Sequence, residues 1–249
     1  MESLRVLRNT QVIILGVCIA AATIVSSVIL SQGFLRIMKM TKEQITVTGS
    51  ANKQIISDYI VWRAVFTVRD PDMGKAYKRL SADLDKVKGY LLAHGVKEQE
   101  LTIPQVAIEQ LYKKDPRGND TNELLDYRLS QIVEVRSENL PQITQVSRSI
   151  TELIDQGVKL NSGAPEYLYR RLDDLKIEML ALATENAKLR AENMAKATGN
   201  RIGPIRSARM GVFQITPVTS NDVSDYGVND TTSLEKKVTS VVTASFAIE

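Results

Sequence analysis

Hydrophobic positions along this chain change their period several times, and each change marks an element. From Asn9 to Leu35 the run NTQVIILGVCIAAATIVSSVILSQGFL holds no charged residue. A helix rising about 1.5 Å per residue crosses a roughly 30 Å hydrocarbon core in about 20 residues, so this run can span a bilayer. Residues 56–69, ISDYIVWRAVFTVR, then alternate: Ile60, Trp62, Ala64, Phe66 and Val68 share one face, and Tyr59, Val61, Arg63, Val65 and Thr67 the other. Period two with β-branched and aromatic residues predicts a long half-buried strand. Asp70-Pro71-Asp72 breaks it, with Asp70 or Asp72 available as a helix N-cap. Steps of three and four through Met73, Ala76, Tyr77, Leu80, Leu84, Val87 and Leu91 predict a helix that Gly95 stops.

Two more strands are expected over about residues 101–113 and 123–137, joined by the turn-rich KKDPRGNDTN. Helical spacing returns at Leu140, Ile143, Val146, Ile150, Leu153 and Ile154, and Gly157 ends it. The extended stretch VKLNSGAPEYLY leads to the longest helix, about residues 171–198, stopped by Gly199. Its inward positions read as Leu172, Leu175, Met179, Leu182 and Ala183, then Asn186, Leu189 or Ala187, and Met194. Closing strands are expected over residues 201–216 and 236–248, the last with Val238, Val242, Ala244, Phe246 and Ile248 on one side. There is also an internal echo: Val68-Arg69, a helix and Gly95-Val96 are followed by Val135-Arg136, a helix and Gly157-Val158. It suggests two strand-helix-strand units in one sheet, completed to an α+β domain by the third helix and the closing strands.

The apolar run changes the picture from a soluble domain to a tethered one. Ala20, Ala21 and Ala22 resemble a signal-peptide cleavage site, yet TIVSSVIL beyond them stays apolar, which favours a retained anchor. Val17 before Cys18 does not suit a lipoprotein signal. Arg5 and Arg8 flank one end, and Arg36, Lys39 and Lys42 the other, so flanking charge votes weakly on orientation. The expected organisation is a tail over 1–10, a transmembrane signal anchor over 11–35, a linker over 36–43 and a folded domain over 44–249. Removing the N-terminal segment leaves roughly 210 residues, enough for one large domain or two small ones with a core.

Composition mainly excludes. Of 249 residues 43% are hydrophobic and 24% charged, and the net charge of +3 comes from interspersed signs. No basic stripe for nucleic acid is formed, and none is expected as a partner. Cys18 is the only cysteine, so no intrachain disulfide or cysteine metal site can form, and His94 is the only histidine. Most triad-type hydrolysis lacks its parts. Gly49-Ser50-Ala51-Asn52-Lys53 departs from the phosphate loop G-x-x-x-x-G-K-[ST]: it has one glycine, and Gln54 follows the lysine. Gly49 reads instead as a turn residue supplying positive φ between two strands. His94, beside Gly95, reads as a helix-end residue. Asp222, Asp225 and Asp230 lack calcium-loop spacing and read as part of a polar loop. Tyr59, Trp62 and Phe66 read as sheet and core. The alanines at 181, 183, 187, 191, 195 and 197 would let a sheet or a neighbouring subunit pack closely. No catalytic, cofactor-binding or metal residue is assigned, and no cofactor is expected.

ITVTGSA after the apolar run, the strand ending Val68-Arg69-Asp70, AYKRLSADLDKVKGYL, then HGV, LTI and the late LRAENMAKATGNRIGPI resemble the SIMPL-domain family from about residue 44 to 249. The resemblance implies an α+β, sandwich-like domain in an exported or envelope-associated bacterial protein without assigned catalytic residues. It also implies links to stress tolerance, large ring-like oligomers in some members and adaptor roles in animal relatives. The expectation is therefore a non-enzymatic, single-pass protein of the bacterial inner membrane, its domain facing the periplasm or cell exterior. Its partners would be membrane lipid through the N-terminal helix, further copies of itself in a scaffold or ring/pore-like assembly, and an envelope protein. The alternative is a ligand- or protein-binding adaptor acting as a monomer or dimer.

Overall fold

The computed structural model describes residues 16–35 and 43–249. The expected tail 1–10, the start of the anchor at 11–15, residues 36–42 of the linker and the flanking charges Arg5, Arg8, Arg36, Lys39 and Lys42 lie outside the described residues. The apolar run forms helix α1, Gly16–Leu35, 20 residues with a mean hydropathy of 1.9 and no buried share. Its composition suits a membrane anchor or a signal sequence equally well.

The fold is mixed α+β and divides into two compact units. Unit 2 comprises Asn52–Met179 and Val212–Ser240. Its centre is the antiparallel pair of β2 (Tyr59–Asp70) and β5 (Asp120–Ser137), in continuous register from Ile60 opposite Ser137 to Asp70 opposite Tyr127. Helix α2 (Met73–Ala93) follows β2 and leads to β3 (Leu101–Thr102) on the far side of β5. Helix α3 (Leu140–Ser149), extended by a 3-10 turn over Ile150–Ile154, follows β5 and leads to β6 (Leu160–Ser162) beside β2. The order β3-β5-β2-β6 interleaves two strand-helix-strand units, the split βαβ arrangement of ferredoxin-like folds. The internal echo is therefore structural. The sequence period explains the core: Ile60, Trp62, Ala64 and Phe66 are fully buried against Leu80, Val87, Leu91, Ile143 and Ile150. Met73, Tyr77 and Ile154, counted by spacing as inward, are exposed.

Three helix ends share one solution. Gly95, Gly157 and Gly199 take φ of 83°, 86° and 77°. The following Val96, Val158 and Asn200 amides donate to Leu91, Leu153 and Ala195 carbonyls at 3.1, 3.1 and 2.9 Å. This cap satisfies carbonyls that a helix end leaves unpaired, and its positive φ favours glycine. At the other end of α2, Asp72 is the N-cap, accepting from Lys75 N–H at 3.0 Å.

Some boundaries differ from the sequence expectation. The first edge strand of the hairpin is split into β3 and β4 (Ala107–Lys114), since Pro104 between them has no N–H to donate. β5 begins at Asp120, so the connector shrinks to residues 115–119, held by Asp115 Oδ1 accepting from Arg117 and Asn119 amides. The extended stretch after α3 gives β6 and β7 (Glu166–Leu168). The expected strand over 201–216 is two strands, β8 (Ile202–Met210) and β9 (Gln214–Pro217), and the polar loop after β9 contains β10 (Val228–Asn229), parallel to β9. The last strand is β11 (Glu235–Ile248).

Unit 1 takes the described residues of Met1–Ala51, Leu180–Gly211 and Val241–Glu249. Here β1 (Gln44–Ile56) neighbours β11, whose other side carries β8. Helix α4 (Leu172–Ala197) covers Val47, Val242, Ala244 and Phe246 with Ala183, Ala187 and Ala191. The buried stripe of α4 is Leu175, Met179, Ala183, Ala187, Ala191 and Ala195, a strict i+4 ladder. Leu182 and Met194, expected inside, are exposed, and of the alternatives Ala187 and Leu189 it is Ala187 that is buried.

Gly49 explains why. A Cβ built on Gly49 would lie 2.3 Å from both Ala183 O and Ala187 N. The expectation of a positive-φ turn is overturned: Gly49 lies within β1 and is not among the positive-φ glycines. It is glycine because the helix backbone lies against it, and only alanines fit the facing stripe. Along the flank of α4, Asn186 Oδ1 accepts from Ser50 N–H at 3.1 Å, and Arg190 donates to Thr48 O at 3.0 Å. These bonds satisfy backbone groups that an edge strand would leave open.

Gly49→Ala is expected to lower unfolding stability by about 1–3 kcal/mol, and Gly49→Val by more, because helix backbone cannot swing aside as a side chain can. Chemical denaturation of the detergent-solubilised chain, followed by circular dichroism, measures this. An unchanged midpoint would mean that α4 does not approach β1 this closely.

Candidate functional site

The residues that sequence reading weighed for chemistry are scattered and already committed to structure. Lys53 forms an ion pair with Glu178 at 2.6 Å. His94 ends α2, its Nδ1 2.8 Å from Tyr90 O and its ring stacked on Tyr90 at 3.9 Å. Trp62 is fully buried and donates Nε1–H to Ser162 Oγ and Gly163 O at 3.1 and 3.0 Å. Asp230 Oδ1 accepts from the Thr232 amide and hydroxyl at 2.8 and 2.7 Å, closing its own turn. No group of three or more His, Cys, Asp or Glu among the described residues lies close enough to hold a metal ion.

The face of the unit 2 sheet away from its helices is polar at its centre. Arg63 stands opposite Glu134 in the register, and the two bond at 2.5 Å. Glu134 also accepts from Arg136 at 2.5 Å, while Arg63 reaches Glu166 at 2.7 Å. Burial pushes the Glu134 carboxyl upward, but the bonds to Arg63 and Arg136 outweigh it and hold its pKa below the ordinary 4.5. Both arginines keep half their side chains in water, so the cluster reads as a sheet clamp.

More distinctive are surfaces that the fold leaves uncovered. β2 pairs with β5 only from Tyr127 onward, so β4 and residues 120–126 of β5 continue as a two-stranded ribbon. The ribbon is laced by Lys113–Glu123 at 2.8 Å, and Arg128–Glu109 at 2.9 Å ties β4 to β5 at its base. It nevertheless exposes Tyr112, Leu124 and Leu125, with Tyr112 opposite Leu124, and Ile108 is exposed on β4 just before it. In unit 1, β8 pairs with β11 along one side and exposes Ile205 and Met210. The loop after β9 is pinned by buried Gln214, whose amide donates to Ser224 O at 2.7 Å, and it presents Val223 and Tyr226, the latter 97% exposed.

Sequence reading missed the ribbon. Its signal is the adjacent apolar pair Leu124-Leu125, which breaks the alternation where the β4–β5 register shifts and leaves Leu125 unpaired. It also passed over Lys236, which shares parity with Val238 and Val242 and is 3% exposed. Period two alone directs Lys236 inward.

An α+β domain with a split βαβ half and an alanine-faced helix on an edge sheet defines the class. The family model SIMPL, Protein of unknown function (DUF541), matches residues 45–246, and the chain belongs to the SIMPL family. No curated protein matches the chain.

Stability should fall on acidification through the Glu134 cluster. The folded pKa lies below the unfolded one, so the contribution is present above pH 4.5 and is lost as pH drops through the folded value. Glu134→Gln is expected to cost about 1–3 kcal/mol at neutral pH and to flatten the acid limb of the profile, since both arginines lose an ionised acceptor. Denaturation midpoints of both proteins from pH 3 to pH 7 provide the comparison.

Proposed function

We propose that this SIMPL protein is a membrane-anchored, non-enzymatic component of the bacterial envelope whose domain self-associates into a scaffold or ring-like, pore-like assembly. The observation that carries the reading is the β4–β5 ribbon. A two-stranded ribbon is marginal in water by itself, and this one has open edges and exposed apolar residues. Pairing with a second copy would cover both. Helix α1 supports the anchor, and its hydropathy of 1.9 suits residence in a bilayer of the inner membrane. The domain then faces the periplasm or the cell exterior, where a role in stress tolerance fits the family resemblance. That the single histidine is tied to a helix end supports a role without catalysis.

A second reading, a partner-binding adaptor working as a monomer or dimer, is favoured by the pinned loop that displays Val223 and Tyr226. Ordered, protruding tyrosines are frequent anchors of protein interfaces.

Light scattering of the full-length protein in detergent and in lipid nanodiscs distinguishes the two. The assembly reading expects a defined multimer that Tyr112→Glu combined with Leu124→Glu dissociates at least about tenfold more readily, with circular dichroism unchanged. A monomeric wild-type particle at all concentrations sinks it. Loss of partner capture by Tyr226→Ala in an otherwise unaltered monomer favours the adaptor.

A further inference from the structure

The cleft within unit 2 beside Lys236 has the features of a small-ligand site. Ile55 from β1, Leu168 from β7, Leu172 from α4 and Ile215 from β9 make its apolar walls, Tyr59 adds an aromatic face, and Lys236 from β11 completes it. Its volume is about 350 Å³, in the lower part of the range that holds small organic ligands. A lysine 3% exposed among such walls is unusual, because a buried cation costs far more than a buried methylene.

The lysine is only partly satisfied. Nζ donates to Tyr167 O and Asp230 O, each at 2.5 Å. An ammonium carries three N–H groups, so one remains without an acceptor among the described residues. The Asp230 carboxylate acts on Lys236 from a distance, but its oxygens accept no bond from Nζ; the lysine uses the main-chain carbonyl instead. Burial correspondingly draws the amine's pKa below its ordinary value, and Asp230 opposes this. The other charged group on the cleft is Arg170, which is bonded to Glu138 at 2.5 Å and stacks over Tyr59 at 5.1 Å. No aspartate or glutamate lines the cleft. Arg170 also lies 3.8 Å from Asp58 and is already neutralised, so the apolar walls and the spare donor of Lys236 are what select for a single negative charge on an apolar body.

We infer that this cleft binds a small monocarboxylic acid with an aliphatic or aromatic body. The carboxylate accepts the third N–H of Lys236, and the body lies among Ile55, Leu168, Leu172 and Ile215. The charge-assisted bond supplies the selectivity, since the same body without the charge leaves the ammonium unsatisfied. The site is independent of self-association, so either proposal stands if the other fails.

The test uses the full-length protein in detergent with benzoate as probe and benzamide as its neutral counterpart, followed by ligand-observed NMR. Benzoate is expected to bind saturably and at least about tenfold more tightly than benzamide. Lys236→Met should bring the two to parity. Leu172→Trp, which fills the cleft and leaves the lysine in place, should abolish binding of both while circular dichroism stays unchanged. No saturable benzoate binding up to about 10 mM, equal binding of the two probes by the wild type, or benzoate binding that survives Leu172→Trp would overturn the proposal. In the first case Lys236 is a structural clamp between β7 and the Asp230 turn and nothing more.

Discussion

In unit 1 the backbone of a helix rests directly on the backbone of a strand. Gly49 has no room for a Cβ against Ala183 and Ala187. Everything else in that unit follows from the short separation. The facing helix stripe is alanine at a step of four, and the contacts along it run from Arg190 at Thr48 to Asn186 at Ser50, antiparallel to the strand. Larger residues such as Leu182 and Leu189 are turned outward. Close approach also brings Asn186 and Arg190 within reach of the β1 edge, where they bond the Ser50 amide and the Thr48 carbonyl. An alanine stripe contributes little apolar area per residue, so the contact depends on close packing rather than on bulk.

Unit 2 is built by the opposite means. Its core uses large side chains, with Trp62, Phe66, Leu80 and Leu129 fully buried or nearly so, and two helices laid on one face of a sheet. Interleaving two strand-helix-strand units puts β2 and β5 side by side, so residues 60–70 of β2 pair without a break with residues 127–137 of β5. Repetition reaches the helix ends, where Gly95 and Gly157 place the buried Val96 and Val158 by the same pair of hydrogen bonds. Pairing ends where β5 outruns β2. The surplus of β5 can pair only with β4, which gives the ribbon and its exposed apolar residues.

Alternation in residues 59–69 and helical spacing in 73–93 were legible because burial on one face repeats at every period. Glycine stops at 95, 157 and 199 were legible because positive φ selects one residue type. The inward step of α4 was not, since hydrophobicity ranks leucine above alanine, and only the distance to β1 reverses that order. Gly49 was misread for the same reason: a glycine kept for lack of space looks in sequence like one kept for its backbone freedom. The ribbon and the Lys236 cleft depend on which strand outruns its neighbour and on which elements converge.

By itself, then, the sequence determined the apolar span, the periods of strands and helices, the stops between them and the family likeness that the match over 45–246 bears out. Those are local or one-dimensional properties, written in neighbouring residues. Tertiary structure decided how near α4 comes to β1, where β4 and β5 run on without further partners, and which walls surround Lys236. Each of these is a distance between segments far apart in the chain. A one-dimensional pattern carries no such distance until the backbone has folded around it.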